Sequence, residues 1–233
     1  MYPSTDEMVY INAAEKLMLD TMVRYDPSHD AYHVQRVRKT ALTIANALPV
    51  KPDLLVVELA ALLHDVLDKK YVSPQQAADP YSFFLPLFSK AAKNSSLDLV
   101  RDGRAQLITQ IVENVSWTTE TKLRATGQWG TWHNECTELH CVQDADRLDA
   151  IGAFGVMRCA AYNASKNNPL HTPREDPCLG KSAIQHFHDK LVHIEGRLKT
   201  EPGKKLGKKR HKLIVDFIAS VEDEYIPAIA VAN

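Results

Sequence analysis

The run "LLVVELAALL", residues 54–63, constrains this chain most. It is apolar almost all round a helical wheel, so a helix formed there must be covered on every side. The rest of the fold has to surround it. "LPVKPD" supplies the turn before it, with Pro52 set at a helix start. Immediately after it comes the pair His64-Asp65.

Other segments repeat the helical period. "STDEMVYINAAEKLMLDTMV" opens with Ser4 and Glu7 in capping-box spacing and stays apolar at helical intervals to about Val23. In "HDAYHVQRVRKTALTIANAL", His33, Val37, Ala41, Ile44 and Leu48 form one stripe. Helical stretches are expected over 82–93, 98–115, 144–162, 182–199 and 204–222, the last two joined around "TEPGKK". "WTTETKLRATGQWGTWHNEC" reads as irregular, and "NASKNNPLHTPREDPCLGKS" as a long polar loop of the kind that often binds or closes. Strand signals are few. The expected class is all-α. A length of 233 residues allows one large or two small domains, and no linker divides it, so one domain over 1–233 is expected.

Bulk properties exclude several classes. A net charge of −1 with 24% charged residues gives no global attraction to nucleic acid or an anionic membrane. No apolar run reaches the ~18 residues of a membrane span. The acidic N-terminus lacks a signal-peptide core. Cys136, Cys141, Cys159 and Cys178 show no C-x-x-C pairing and read as free thiols. The expectation is a cytoplasmic protein.

Three polar intrusions interrupt apolar helices: His33, the pair His64-Asp65, and the acidic group Asp144, Asp146 and Asp149. A buried imidazole or carboxylate is costly unless paired or bound to a cation. One divalent ion would resolve all three. Nitrogen and oxygen donors without thiolate suit Mn²⁺, Co²⁺, Ni²⁺, Fe²⁺ or Mg²⁺ with open positions better than a closed structural Zn²⁺. Taken singly, each feature has a plainer reading: a hydrogen-bonded core histidine, or a helix-capping aspartate. The order His, then His-Asp, then Asp is what makes the set specific.

"SHDAYHVQRV", "ELAALLHDVLDKKY" and "VQDADRLDAIGAFG" resemble the successive motifs of the HD-domain metal-dependent phosphohydrolases, within residues 28–155. "HFHDKL" and "TEPGKKLGKKRHKLIVDF" resemble the small stand-alone members reported to act on nucleotides. The resemblance implies an all-helical HD-type bundle. Its implied metal ligands are His33, His64, Asp65 and Asp146, with Asp144 as a helix cap or supporting group and Asp149 orienting a ligand or pairing with a cation. Asp68 matches the acidic position that activates water, beside the catalytic ligand Asp65. His29, Arg36, Lys70 and Arg147 flank the motifs as phosphate contacts, as do Lys181, His186 and Lys190 by likeness to the subgroup.

The implied activity is hydrolysis of a phosphoester or phosphoanhydride bond in a small phosphorylated substrate, of nucleotide type, by a monomer or homodimer. The rivals are a dinuclear iron oxygenase on the same fold and a non-catalytic metal- or ligand-binding protein. The oxygenase requires extra histidines. His133 and His140 lie in the right interval but outside any apolar helical stripe, and read as non-ligands.

Overall fold

The computed structural model describes residues 2–23, 25–67 and 78–225. Among the described residues there are eleven α-helices and no strand, so the all-α expectation is met. They are α1 (Thr5–Met22), α2 (Ala31–Ala47), α3 (Leu54–Leu63), α4 (Pro80–Ala92), α5 (Arg104–Asn114), α6 (Trp117–Ala125), α7 (Thr131–Glu135), α8 (Thr137–Asp149), α9 (Gly152–Ser165), α10 (Ala183–Asp189) and α11 (Glu201–Tyr225). None of the described helices is long and apolar enough to cross a membrane. The chain divides into two compact units, one of residues 1–25, 29–146 and 200–202, the other of 26–28, 147–199 and 203–233.

In the first unit α3 is the core. Leu55 to Leu63 are all buried, and α1, α2 and α5 pack around it. Each buried Leu or Val there contributes ~1.5–3 kcal/mol relative to exposure. Leu59→Ala would remove about 2–5 kcal/mol, because Leu59 is wholly enclosed. The helix starts are fixed by side chains. Ser4 and Glu7 close the expected capping box on α1. Asp53 accepts from the Leu55 and Val56 amides. Asp30 accepts from the His33 amide at 2.8 Å, which fixes the first turn of α2.

The second unit is built on α9, α10 and α11. Main-chain bonds from Ala183 to the Pro169 carbonyl and from Ile184 to that of Leu170, both 3.0 Å, hold the proline-rich segment to α10. Phe187 and Phe217 pack with ring centres 5.4 Å apart.

Several expected boundaries shift. The helix expected over 144–162 is two helices, because Gly152, the first residue of α9, adopts φ +76°. A Cβ at Gly155 would lie 2.4 Å from the Ala150 carbonyl oxygen, so the elbow requires glycine there as well. The "irregular" segment from Trp117 contains α6 and α7. Ser116 caps α6 by accepting from the Thr119 amide. Its end is closed by Gly127 N–H to Arg124 O (3.2 Å) and Gln128 N–H to Leu123 O (2.8 Å), the pairing of a Schellman motif. The stretch expected over 182–199 is α10 followed by two 3₁₀ turns, and α5 begins at Arg104 rather than 98. "TEPGKK" opens α11 instead of preceding it.

Candidate metal centre

The first unit brings four of the expected side chains together. His33 lies in the first turn of α2, fully buried. His64 and Asp65 lie in the turn that ends α3, and Asp146 on α8. His33 Nε2 stands 3.3 Å from Asp65 Oδ2 and 3.6 Å from Asp146 Oδ1. His64 Nε2 stands 3.4 Å and 3.9 Å from the same two atoms. The two imidazoles meet edge to face, centroids 5.3 Å apart. The donor atoms of His33, His64 and Asp146 all lie within 4.8 Å of one another.

These spacings fit a shared ion. With bonds of ~2.1 Å, neighbouring ligands of an octahedral cation lie about 3.0 Å apart and opposite ligands about 4.2 Å. His64 adds a second indication. Its Nδ1 lies 2.8 Å from the Ala61 carbonyl, so Nδ1 carries the proton and donates it. Nε2 then keeps its lone pair, buried and with no hydrogen-bond partner among the described residues. Such backbone anchoring of the far ring nitrogen is how metal-binding histidines are oriented.

Burial would raise the Asp65 carboxyl. The adjacent His64, contact with His33 and the nearby His29 outweigh it and hold the group well below the usual carboxylate range.

Arg38 of α2, half-buried, and Glu58 of α3, buried, form an ion pair, with Nε 2.7 Å from Oε1. Arg38 also reaches Glu15 at 3.3 Å, and Tyr2 donates to Glu58. This pair ties together the helices that carry His33 and His64. Sequence reasoning missed it, although Glu58 is the sole charged residue in the run 54–63.

Asp144 is not the helix cap that was one of its two expected roles. It lies inside α8, not at a helix start, because the helix begins seven positions earlier than its acidic group suggested. Its Oδ2 accepts from the Thr200 amide at 2.8 Å and the Thr200 hydroxyl at 2.7 Å. Asp149 meets Arg158 at 3.2 Å, and Arg158 also donates to the Ser28 carbonyl at 2.7 Å. A cation partner for Asp149 was anticipated; that it is Arg158 was not.

Of the expected phosphate contacts, His29 is half-buried, its ring edge-to-face with that of His33 and the ring centroids 5.9 Å apart. Arg36 is half-buried on α2. Arg147 is buried, and its guanidinium donates to the Arg197 carbonyl at 2.8 Å. Lys181, His186 and Lys190 all belong to the second unit. Burial and the Lys190 charge push the His186 imidazole below its ordinary value, so near neutral pH it is an uncharged ring. Asp68, Lys69 and Lys70 lie outside the described residues.

His133 and His140 are committed elsewhere. His133 Nδ1 accepts from the Gly130 amide at 3.1 Å, its Nε2 meets Asn114 Oδ1 at 3.2 Å, and its ring stacks on Trp129. His140 Nε2 lies 2.8 Å from the His133 carbonyl.

No family model matches the chain. Among curated sequences, the uncharacterised Bacillus subtilis protein YpgQ is 29% identical over 201 residues, 86% of either chain. The crystal structure of YpgQ in complex with ADP matches with a TM-score of 0.69 at 25% identity, covering 97% of this chain and 99% of that one. A Listeria innocua protein gives 0.68 at 28% identity, covering 95% and 98%. An HD-superfamily hydrolase of Bacillus thuringiensis gives 0.68 at 24% identity, covering 95% and 99%.

Proposed function

We propose that this chain, whose fold is that of the HD-superfamily hydrolases, is itself a metal-dependent hydrolase that cleaves a phosphoester or phosphoanhydride bond of a nucleotide. The observation that carries the reading is the cluster of His33, His64 and Asp146, with Asp65 against both imidazoles and the lone pair of His64 buried and aimed into it. His33, His64, Asp65 and Asp146 would hold one divalent ion, of the Mn²⁺, Co²⁺, Ni²⁺, Fe²⁺ or Mg²⁺ type. An ion held there supplies Lewis-acid chemistry, polarising a phosphoryl oxygen and acidifying water.

The chain's own groups do the rest. The Ala61 carbonyl keeps His64 in one tautomer, so its lone pair points inward without reorganisation. Asp68, three residues after Asp65, is proposed to take the proton of the attacking water. His29, Arg36 and Lys70 are proposed to bind phosphate oxygens, with Lys181, His186, Lys190 and Arg147 as further candidates. A nucleotide is favoured because the similar YpgQ has been crystallised with ADP. A single metal is favoured because both ring nitrogens of His133 and Nε2 of His140 already meet Gly130, Asn114 and a main-chain carbonyl.

The test is a panel of nucleoside mono-, di- and triphosphates with each divalent ion in turn. Release of phosphate or pyrophosphate that requires the ion, and disappears in His64→Ala, supports the reading. No turnover of any phosphorylated substrate under any ion would defeat it.

A further inference from the structure

The longest helix carries its charges the wrong way round. In α11 the first half holds Lys204, Lys205, Lys208, Lys209, Arg210 and Lys212 beside one acid, Glu201, and the second half holds Asp216, Glu222, Asp223 and Glu224. A helix dipole favours acids near the N-terminus and bases near the C-terminus. The last turn of α11 has no basic residue at all. The acids of the last turn therefore work against the isolated helix, although Glu201 in the first turn is favourably placed.

The arrangement is, however, self-complementary. Gly203, Gly207, Ile214 and Ile218 face inward. The outward stripe runs Lys205, Lys208, Lys209, Lys212, Asp216, Ser220, Asp223, all exposed. Reversed about residue 214, this stripe pairs Lys205 with Asp223 and Lys212 with Asp216, while Lys208 and Lys209 fall opposite Ser220 and Ala219, which are small. Leu213 and Val215, 40% and 45% exposed, flank the same midpoint.

We propose that the outward face of α11 is a self-association surface on which a second copy of this chain docks with its α11 antiparallel, the two-fold axis passing near Ile214. Each of the two ion pairs then forms twice, since such an interface is isologous. Lys212 and Asp216 already touch within one helix at 2.6 Å. In the pair, two such dipeptide-like couples meet as a ring of four alternating charges, which is a network rather than an isolated surface bridge. Leu213 and Val215 of both copies close around it.

The test is the solution mass of the full chain by sedimentation velocity, for the wild type, for Lys205→Glu/Lys212→Glu, and for Asp216→Lys/Asp223→Lys. The wild type should be a dimer that loosens as salt is raised. Either double variant juxtaposes like charges and should raise the dissociation constant at least ~100-fold, giving monomers. Mixed in equal amounts, the two variants should form a heterodimer, because at each of the paired positions, 205 with 223 and 212 with 216, an acid of one variant then faces a base of the other. All the substituted positions are exposed, and circular dichroism of each variant checks that it folds as the wild type does. A monomeric wild type at low salt, a variant that stays dimeric by itself, or a mixture that remains monomeric would each overturn the proposal.

Discussion

Replacing Asp144 by alanine should destabilise the protein without emptying its metal site. Asp144 is fully buried and Thr200 only 7% exposed, and one carboxylate oxygen accepts both the Thr200 amide and its hydroxyl. A hydrogen bond to a charged group is worth about 1.5–3 kcal/mol, and alanine removes two while stranding a buried amide. The expected loss is roughly 3–5 kcal/mol. For a chain of this size each kcal/mol moves the midpoint by about 2–4 °C, so thermal unfolding followed by circular dichroism should fall by roughly 10 °C. Asp144→Asn keeps an acceptor and should lose less than half as much. Thr200→Val removes only the hydroxyl partner, and combined with Asp144→Ala should add little, since the two share one interaction. Metal content of folded Asp144→Ala should equal that of the wild type. A midpoint shifted by less than about 2 °C would refute the energetic argument. A stable variant that had lost its metal would show that Asp144, not Asp146, is the ligand.

Four further outcomes follow from the structure. Arg38→Leu strands the Glu58 carboxylate, which is 3% exposed, and should destabilise by about 3–5 kcal/mol in urea titrations, with much of it recovered in Arg38→Leu/Glu58→Leu. Burial pushes the Cys136 and Cys159 thiols up to about 11 and Cys141 to about 12, while Cys178 is exposed, so iodoacetamide at mildly alkaline pH should label Cys178 quickly and the other three only after unfolding. The depressed His186 imidazole binds its proton more readily in the unfolded chain. Its share of stability is complete above about 6.5, the ordinary value, and is lost as pH falls through the lowered one; NMR titration should find the ring less charged than a free imidazole at the same pH. Asp68→Asn should keep metal and fold and reduce kcat roughly 10²–10⁴-fold, with KM changed far less; near-normal turnover would leave Asp68 without a catalytic role.

Much of the centre is legible in the sequence because its ligands violate the hydrophobic pattern of their own helices. His33 sits on the stripe of Val37, Ala41 and Ile44, and all four are buried. His64 follows the apolar run directly. What lies hidden depends on residues far apart in the chain. Glu58 looks like one polar slip in α3 until Arg38 is seen opposite it. Asp144 looks like a cap until Thr200 is found at its oxygen. The reading of 117–136 as irregular gave too much weight to its glycines. Gly127 ends α6 rather than preventing it, and Ser116 was a readable start signal. In 190–198 helical spacing of apolar residues persists, yet the backbone tightens into 3₁₀ turns that bury Leu191, Ile194 and Leu198, a choice set by packing and not by local pattern.

The central claim is that His33, His64, Asp65 and Asp146 together hold one divalent ion. It is tested most directly by loading the purified full chain with Mn²⁺, dialysing, and measuring bound metal by mass spectrometry, beside His64→Ala and a folded control, Asp144→Asn. The account predicts one ion per chain in the wild type and in the control, and almost none in His64→Ala. Equal metal in the wild type and His64→Ala would contradict it.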